Sequence, residues 1–139
     1  MSAPSWVLDT NVVVAGLLTP QGVCAQLVNL VLTRQLRLTY DDRIEAEYRE
    51  VLSRPRFAIP PARMAALLNA LHRQDGVTAG PWKHQPPPDP DDQPFLEVAL
   101  VATDQVLVTG NIKHFPPDCR GKVMVLTPRE AWERLSIIL

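Results

Sequence analysis

The stretch Trp6-Val7-Leu8-Asp9-Thr10-Asn11 constrains the fold of this chain more than any other. Three apolar residues lead directly into a carboxylate, and the apolar pattern of residues 12–18 that follows is typical of a helix. This order predicts a buried strand over residues 5–9 and a turn into a short helix. In a parallel α/β sheet, functional groups collect beyond the carboxyl ends of the strands, so Asp9 is a candidate functional residue from the pattern alone.

A second apolar run with a polar end, Val106-Leu107-Val108-Thr109-Gly110-Asn111, lies 100 residues further along the chain. Alternating patterns predict strands at residues 5–9, 36–40, 77–79, 105–109 and 123–126, and helices at 12–18, 23–35, 42–54, 61–71, 92–103 and from 128 onward. Strands that alternate with helices predict an α/β fold with a parallel sheet. We expect the two polar strand ends to face each other across one acidic, metal-binding site.

The bulk composition is that of one ordinary globular domain. With 139 residues, of which 46% are apolar and 21% charged, residues 1–139 are expected to form a single domain with its own core. Five of the 14 prolines lie in residues 80–90, which we interpret as a surface connection inside that domain. The net charge of −1 argues against nonspecific nucleic-acid binding. However, 11 of the 14 basic residues are arginine, which suits phosphate and carboxylate partners.

The sequence carries no pattern of a membrane or secreted protein. Cys24 and Cys119 stand in no CxxC pair, and the first apolar run is interrupted by Asp9. No uncharged helical stretch approaches the roughly 20 apolar residues that a bilayer requires. We therefore expect a soluble cytoplasmic protein without membrane association.

Two aspartates are the leading candidates for chemistry. Asp9 directly follows buried residues, where a charge is costly unless it is paired or bound to a cation. The alternative is that Asp9 caps the following helix, a role that Thr10 or Asn11 could equally fill. Asp92 shares one helical stripe with Leu96 and Ala99, so it is predicted to point towards the sheet. The alternative for Asp92 and its neighbours is an ordinary helix cap reinforced by acids at the helix start.

Two further positions stay open on the residues alone. In the helix predicted at 42–54, Glu45 and Glu47 flank the apolar face on opposite sides, and periodicity cannot choose between them. Asn111 ends the fourth predicted strand, where its amide oxygen would suit a hard cation or a water, or where it would simply be a turn residue after Gly110.

Taken together, the ordered motifs resemble PIN-domain proteins of the kind related to VapC toxins. The resemblance covers nearly the whole chain and rests on Asp9-Thr10-Asn11, on Glu47 and the residues through Pro55, on Asp89-Pro90-Asp91-Asp92, and on Val108-Thr109-Gly110-Asn111 with His114-Phe115-Pro116. It favours Glu47 over Glu45 and matches Asp9 and Asp92 to the metal-binding acids of the family. Many PIN domains have aspartate where this chain has Asn111, and a toxin-like branch often reads Thr-Gly-Asn.

The resemblance implies a three-layer α/β/α sandwich with a five-stranded parallel sheet in the order 3-2-1-4-5. It implies an endoribonuclease that hydrolyses RNA phosphodiester bonds with Mg²⁺ or Mn²⁺, held by Asp9, Glu47 and Asp92, with Asn111 at a ligand water or the phosphate. Candidate substrate contacts are Thr10, Asn11, Arg49, Arg54 and Arg56. The implied partners are an RNA substrate, a small antitoxin and a second copy of the chain. The apolar stripes at 23–35 and 64–71 also favour a homodimer, because they can exceed what one small core buries.

Two other functional classes remain as alternatives. The first is a catalytically silent PIN-like module that binds RNA or protein, which Asn111 and the near-neutral charge favour. The second is a phosphohydrolase of the haloacid-dehalogenase type, which also begins with an aspartate at a strand end. That family requires a second acid two residues further on, and Asn11 occupies that position here.

Overall fold

The computed structural model describes residues 3–138. Across these residues the chain forms four parallel strands, β1 (Ser5–Leu8), β2 (Arg37–Leu38), β3 (Val106–Val108) and β4 (Met124–Leu126). Their order in the sheet is β2-β1-β3-β4. In the register of the two central strands, Leu8 is opposite Val108. The carboxyl ends of β1 and β3, which lead into Asp9 and Thr109, therefore lie side by side.

Six helices pack around this sheet within the same residues. They are α1 (Thr10–Leu18), α2 (Val23–Leu32), α3 (Asp42–Leu52), α4 (Pro61–Asn69), α5 (Gln93–Val101) and α6 (Pro128–Ile138). Local sequence explains several of their ends. Asp41 caps α3 by accepting the Ile44 N–H at 3.0 Å. α2 stops earlier than the predicted residue 35, since Arg34 takes a left-handed conformation with φ of 65°.

The prediction of a five-stranded sheet in the order 3-2-1-4-5 is wrong. Residues 77–79, the predicted third strand, form no strand; the residue before them, Gly76, makes one isolated parallel bridge with Tyr40 beyond the edge of β2. Val77 N–H donates to the Tyr40 carbonyl at 2.8 Å, but no ladder follows. Gly80 and Pro81 come directly after this segment, and proline lacks the N–H that a strand must donate. The predicted adjacency of the first and fourth strands, now β1 and β3, is observed.

The core is built on the two central strands. Every residue of β1 and β3 is buried, and because successive side chains in a strand point to opposite faces, both faces of the sheet are covered. Gly16 in α1 allows a close approach of α2, because a methyl group there would lie 2.4 Å from Val28 Cγ2. In residues 3–138, no single helix has the length and apolar character to span a membrane; only α1 and α2 taken together do, across a 97° bend.

Candidate active site

Asp9 lies at the end of β1, where the strand turns into α1. Its backbone continues the pairing of β1 with β3, because the Asp9 N–H donates to the Val108 carbonyl at 2.8 Å. The side chain is 5% exposed and makes no capping hydrogen bond to α1. Its Oδ2 atom instead accepts from the Thr109 hydroxyl at 2.9 Å and from Asn11 Nδ2 at 3.4 Å. The capping alternative for Asp9 therefore does not describe its side chain, which is held towards the end of β3.

Glu47 reaches the same region from α3. The Thr10 hydroxyl, which begins α1, donates to Glu47 Oε2. Glu45, the alternative left open by periodicity, accepts instead from Arg49 Nη2 at 2.9 Å, one helical turn along α3. The structure therefore separates the two glutamates that the helical pattern could not, and Glu47 is the one beside Asp9.

Asp92 is placed by the turn that precedes α5. Residues Pro90–Asp92 form a short 3-10 helix whose cap is Asp89, which accepts the Asp91 N–H at 2.9 Å. Asp92 itself makes no capping hydrogen bond. Its side chain is only 14% exposed, and its Oδ2 atom is buried and makes no hydrogen bond. Asp89 therefore caps the turn, and Asp92 keeps a buried carboxylate oxygen that accepts no hydrogen bond from any described residue.

His114 stands between Asp92 and Asn111. Its Nδ1 atom lies 3.3 Å from Asp92 Oδ2, within ion-pair distance but not in hydrogen-bonding geometry. Its Nε2 atom lies 2.9 Å from Asn111 Nδ2. If the amide of Asn111 donates, the imidazole accepts at Nε2 and carries its proton at Nδ1, the atom that faces Asp92. Asn111 thus contacts a neighbour of the acids, while its backbone N–H donates to the Thr109 hydroxyl at 3.0 Å.

The three carboxylates are close enough to influence one another. Burial raises the pKa of Asp9 to about 6; the charges of Asp92 and Glu47 add to the rise, and the Thr109 hydrogen bond opposes it. Burial also raises the pKa of Asp92, where His114 opposes the rise and nearby acids, including Glu47, add to it. This site holds negative charge in partly desolvated surroundings, a situation that favours either a proton or a cation.

The donors fit a magnesium-like ion better than a closed metal cage. Among residues 3–138, no group of three or more His, Cys, Asp and Glu side chains is arranged to hold one ion. Mg²⁺ is usually bound through one or two carboxylates together with waters and substrate phosphates. Hard carboxylate oxygens, one of them the buried and unsatisfied Oδ2 of Asp92, match that chemistry.

The residues predicted to contact substrate have diverse surroundings. Thr10 and Asn11 are engaged at the acidic site, and Asn11 Oδ1 accepts the Gly110 N–H at 2.9 Å, which ties α1 to the end of β3. Arg49 pairs with Glu45 on the exposed surface of α3. Arg54 and Arg56 line a groove that also contains Thr10.

Sequence reasoning missed two residues that hold the site together. Thr109 is completely buried and links Asp9 to the Asn111 backbone through one hydroxyl. Tyr48 of α3 is also fully buried and donates its hydroxyl to the Leu8 carbonyl. The available signal was a tyrosine where phenylalanine would suffice, because a buried tyrosine hydroxyl usually finds a partner.

The comparisons with known proteins agree with this geometry. The family model described as PIN domain matches residues 5–113, a span that contains Asp9, Glu47, Asp92 and Asn111. Neither the curated proteins nor the solved structures include a significant match. PIN domains are generally nucleases and typically use divalent metal ions. Since the matched span is most of the chain, this protein belongs to the PIN domain family.

Proposed function

We propose that this PIN domain is a metal-dependent endoribonuclease that hydrolyses RNA phosphodiester bonds. The observation that carries the proposal is that Glu47 and Asp92, from two other elements, lie close enough to Asp9 for their charges to raise its pKa. The carboxylate of Asp92 keeps a buried oxygen without a hydrogen bond, and Asp9 is almost fully desolvated. Such an arrangement is unfavourable by itself and becomes favourable when a divalent cation is present.

In this proposal Asp9, Glu47 and Asp92 would hold Mg²⁺ or Mn²⁺. A bound divalent ion supplies charge neutralisation at the phosphate and activation of water for in-line attack. The chain supplies rigid donors. Thr109 and Asn11 fix the carboxylate of Asp9, and Thr10 fixes that of Glu47. Preorganised donors of this kind do not need to be reordered when the substrate arrives.

Asn111 takes a supporting role in this proposal. Its amide contacts His114, which lies against Asp92, so Asn111 orients the imidazole. The earlier expectation that Asn111 holds a ligand water or the phosphate remains a second possibility for its amide oxygen. In either role the position adds no fourth negative charge that would repel an incoming phosphate.

We further propose that the protein is the cytoplasmic toxin of a type II toxin–antitoxin pair, inhibited by a small antitoxin. Resemblance to the VapC-like branch supports this role. The proposed homodimer rests on the same resemblance, because the structure accounts for most of the apolar stripes that had favoured it. Leu27, Val28 and Val31 of α2 and Leu67 of α4 are buried in the core of a single chain.

The silent binding module remains the second candidate. It is favoured by Asn111, which stands where many PIN domains carry a metal-binding aspartate, and by the net charge of −1. The haloacid-dehalogenase alternative loses its support, since the PIN family is shown and Asn11 is occupied with Gly110 and Asp9.

Cleavage of RNA under controlled metal conditions tests the proposal. A set of structured and single-stranded RNAs should be cut internally in Mg²⁺ or Mn²⁺, left intact in chelator and cut again when the metal is restored. A small phosphate ester serves as the control substrate and should remain unhydrolysed. Binding of RNA without cleavage under any divalent ion would favour the silent module instead.

A further inference from the structure

A groove between α1 and α3 includes Glu47, one of the three acids, in its lining. Its walls are largely apolar and include Val14 and Leu18 of α1, Val51 of α3 and Phe57. Leu18 leaves 42% of its surface exposed on this wall of the groove. The groove has a volume of about 550 Å³, within the roughly 300–1,000 Å³ of small-molecule sites.

The groove and the acidic site share a wall. Thr10 and Glu47, which are hydrogen-bonded to each other at the site, also line the end of the groove. The rest of a ligand whose phosphate lies at the acids could therefore extend along the surface into the groove. This continuity favours an occupant that is part of the substrate itself.

Part of the groove lining is basic and aromatic, since it includes Arg54, Arg56 and Phe57. The guanidinium of Arg56 lies over the Phe57 ring, with Cζ 4.8 Å from the ring centroid. Arg56 forms no ion pair with any residue between 3 and 138, whereas Arg54 beside it pairs with Glu50 at 2.7 Å. A guanidinium stacked on an aromatic ring is a surface on which nucleobases stack, and it also attracts phosphate.

The segment that presents this pair is held in a defined conformation. Pro55 begins a single turn of 3-10 helix over Pro55–Phe57, and Ala58 follows in a left-handed conformation with φ of 49°. A residue with a side chain adopts this conformation only at some cost in free energy. The backbone conformation of Pro55–Ala58 therefore fixes the position of Phe57 at the groove.

We propose that this groove binds one unpaired nucleotide that flanks the scissile phosphate, with its base stacked on the Arg56–Phe57 pair and its backbone phosphate at Arg56. The inference rests on the proposed ribonuclease function and makes the enzyme selective for single-stranded RNA beside the cut. Base stacking on an aromatic side chain does not depend strongly on sequence, so Phe57 selects an unpaired nucleotide more than a particular base.

Binding of labelled single-stranded octaribonucleotides in chelator, followed by fluorescence anisotropy, tests the inference without cleavage. Phe57→Ala should weaken binding roughly 5- to 100-fold, the usual range for one stacked base. Phe57→Tyr should bind like the wild type, since the ring is kept. Ile137→Ala is the matched control, because it truncates an exposed apolar side chain of α6 that lies outside the groove.

An abasic scan of the same RNA identifies the stacked nucleotide. One abasic position should weaken binding to the wild type, and kcat/KM in Mn²⁺, by about the same factor as Phe57→Ala. That position should have no further effect on the variant.

Equal RNA binding by wild type and Phe57→Ala overturns the inference, leaves the ribonuclease proposal standing and favours an apolar protein helix as the occupant. Binding that depends on Phe57 without cleavage in Mn²⁺ supports the groove and overturns the ribonuclease. A wild-type protein that neither binds nor cuts RNA overturns both.

Discussion

The carboxylate of Asp9 destabilises the folded protein when no cation is bound. Its pKa is raised to about 6 in the folded state, chiefly by burial, against an ordinary value of 3.8. The folded protein holds the Asp9 proton more tightly than the unfolded chain does. Protonation of Asp9 therefore stabilises the folded state; this contribution is complete below the ordinary pKa of 3.8 and is lost as the pH rises through about 6. A carboxylate of this kind makes the metal-free protein less stable at pH 8 than at pH 5.

We therefore expect Asp9→Asn to raise the free energy of unfolding in chelator at pH 8 by on the order of 1–3 kcal/mol. The gain should shrink below pH 5. Urea unfolding at both pH values measures it. Asp104→Asn is the control: Asp104 accepts the Ser5 N–H at 2.7 Å at the other end of β1, and asparagine keeps an acceptor there. A destabilised Asp9→Asn at pH 8 would contradict the electrostatic account.

Asn111 offers a second test at the level of one side chain. Asn111→Asp adds a negative charge beside His114 and Asp92. The interaction of two unit charges about 4 Å apart is roughly 1 kcal/mol at the dielectric constant of water and roughly 4 kcal/mol at the lower dielectric constant near a protein surface. Calorimetric titration without RNA should show tighter Mn²⁺ binding by this variant. Asn111→Ala should reduce turnover more than metal affinity. An unchanged affinity in Asn111→Asp would place residue 111 outside the metal's surroundings.

Individual site residues differ in how far the sequence predicts them. The buried placement of Asp9 and the partly buried placement of Asp92 were predictable from a strand end and a helical stripe, since those patterns reflect local geometry. Glu47 was not separable from Glu45 by periodicity, because the choice depends on the Thr10 hydroxyl contributed by another element. Thr109 could not be recognised at all, because its role is a hydrogen bond to a residue 100 positions away.

At the scale of elements, the contact between α1 and α2 depends on Gly16. A methyl group there would lie 2.4 Å from Val28 Cγ2 and 2.7 Å from the Cys24 carbonyl oxygen. The second of these atoms is backbone, so α2 itself would have to move. We expect Gly16→Ala to destabilise the fold by about 1–3 kcal/mol or more, as overpacked cores do, despite the better helix propensity of alanine.

Thermal and urea unfolding of Gly16→Ala measure this effect. Gly80→Ala is the matched control, because a methyl group at Gly80 would meet no atom within 4 Å. Equal stability of the two variants would show that α1 and α2 can separate without loss, and would remove the packing argument for Gly16.

Helix starts were the most predictable features among the elements. α6 begins at residue 128 as predicted, and Thr127 and Glu130 cap it reciprocally, with N···O distances of 2.9 and 3.1 Å. The strand predicted over residues 77–79 was the main error. A strand forms only where a neighbouring strand supplies a series of backbone hydrogen-bond partners, and β2 consists of only two residues, Arg37–Leu38. A local pattern carries no information about the length of its neighbour.

At the scale of the whole molecule, divalent ions should stabilise the fold through the acidic site. A ligand that binds only the native state at 100 times its Kd adds about 2.7 kcal/mol, which raises Tm by on the order of 10 °C in a domain of this size. The shift with Mn²⁺ should be larger at pH 8 than at pH 5.5, where a proton on Asp9 competes with the metal. Equal shifts at the two pH values, or a full shift in Asp92→Asn, would contradict a site made of these acids.

The overall architecture was largely predictable, since alternating strands and helices with apolar strand runs permit few arrangements other than a parallel α/β sheet. The adjacency of β1 and β3 was implied by the resemblance to PIN domains, and it places Asp9 beside Thr109. The groove beside Phe57 was not predictable, because its two walls come from α1 and α3, which begin 32 residues apart (at 10 and 42), and no local pattern describes how they pack.

The central claim, that Asp9 belongs to a metal-dependent RNA-cleaving centre, is tested most directly by the Mn²⁺ dependence of RNA cleavage in two matched variants. Asp9→Asn and Asp104→Asn remove the same charge at opposite ends of β1. Asp104→Asn should cleave a single-stranded RNA at close to the wild-type rate over the full Mn²⁺ range. Asp9→Asn should fold and yet show no cleavage at any Mn²⁺ concentration. Near-normal turnover by Asp9→Asn, with the wild-type metal requirement, would contradict the account.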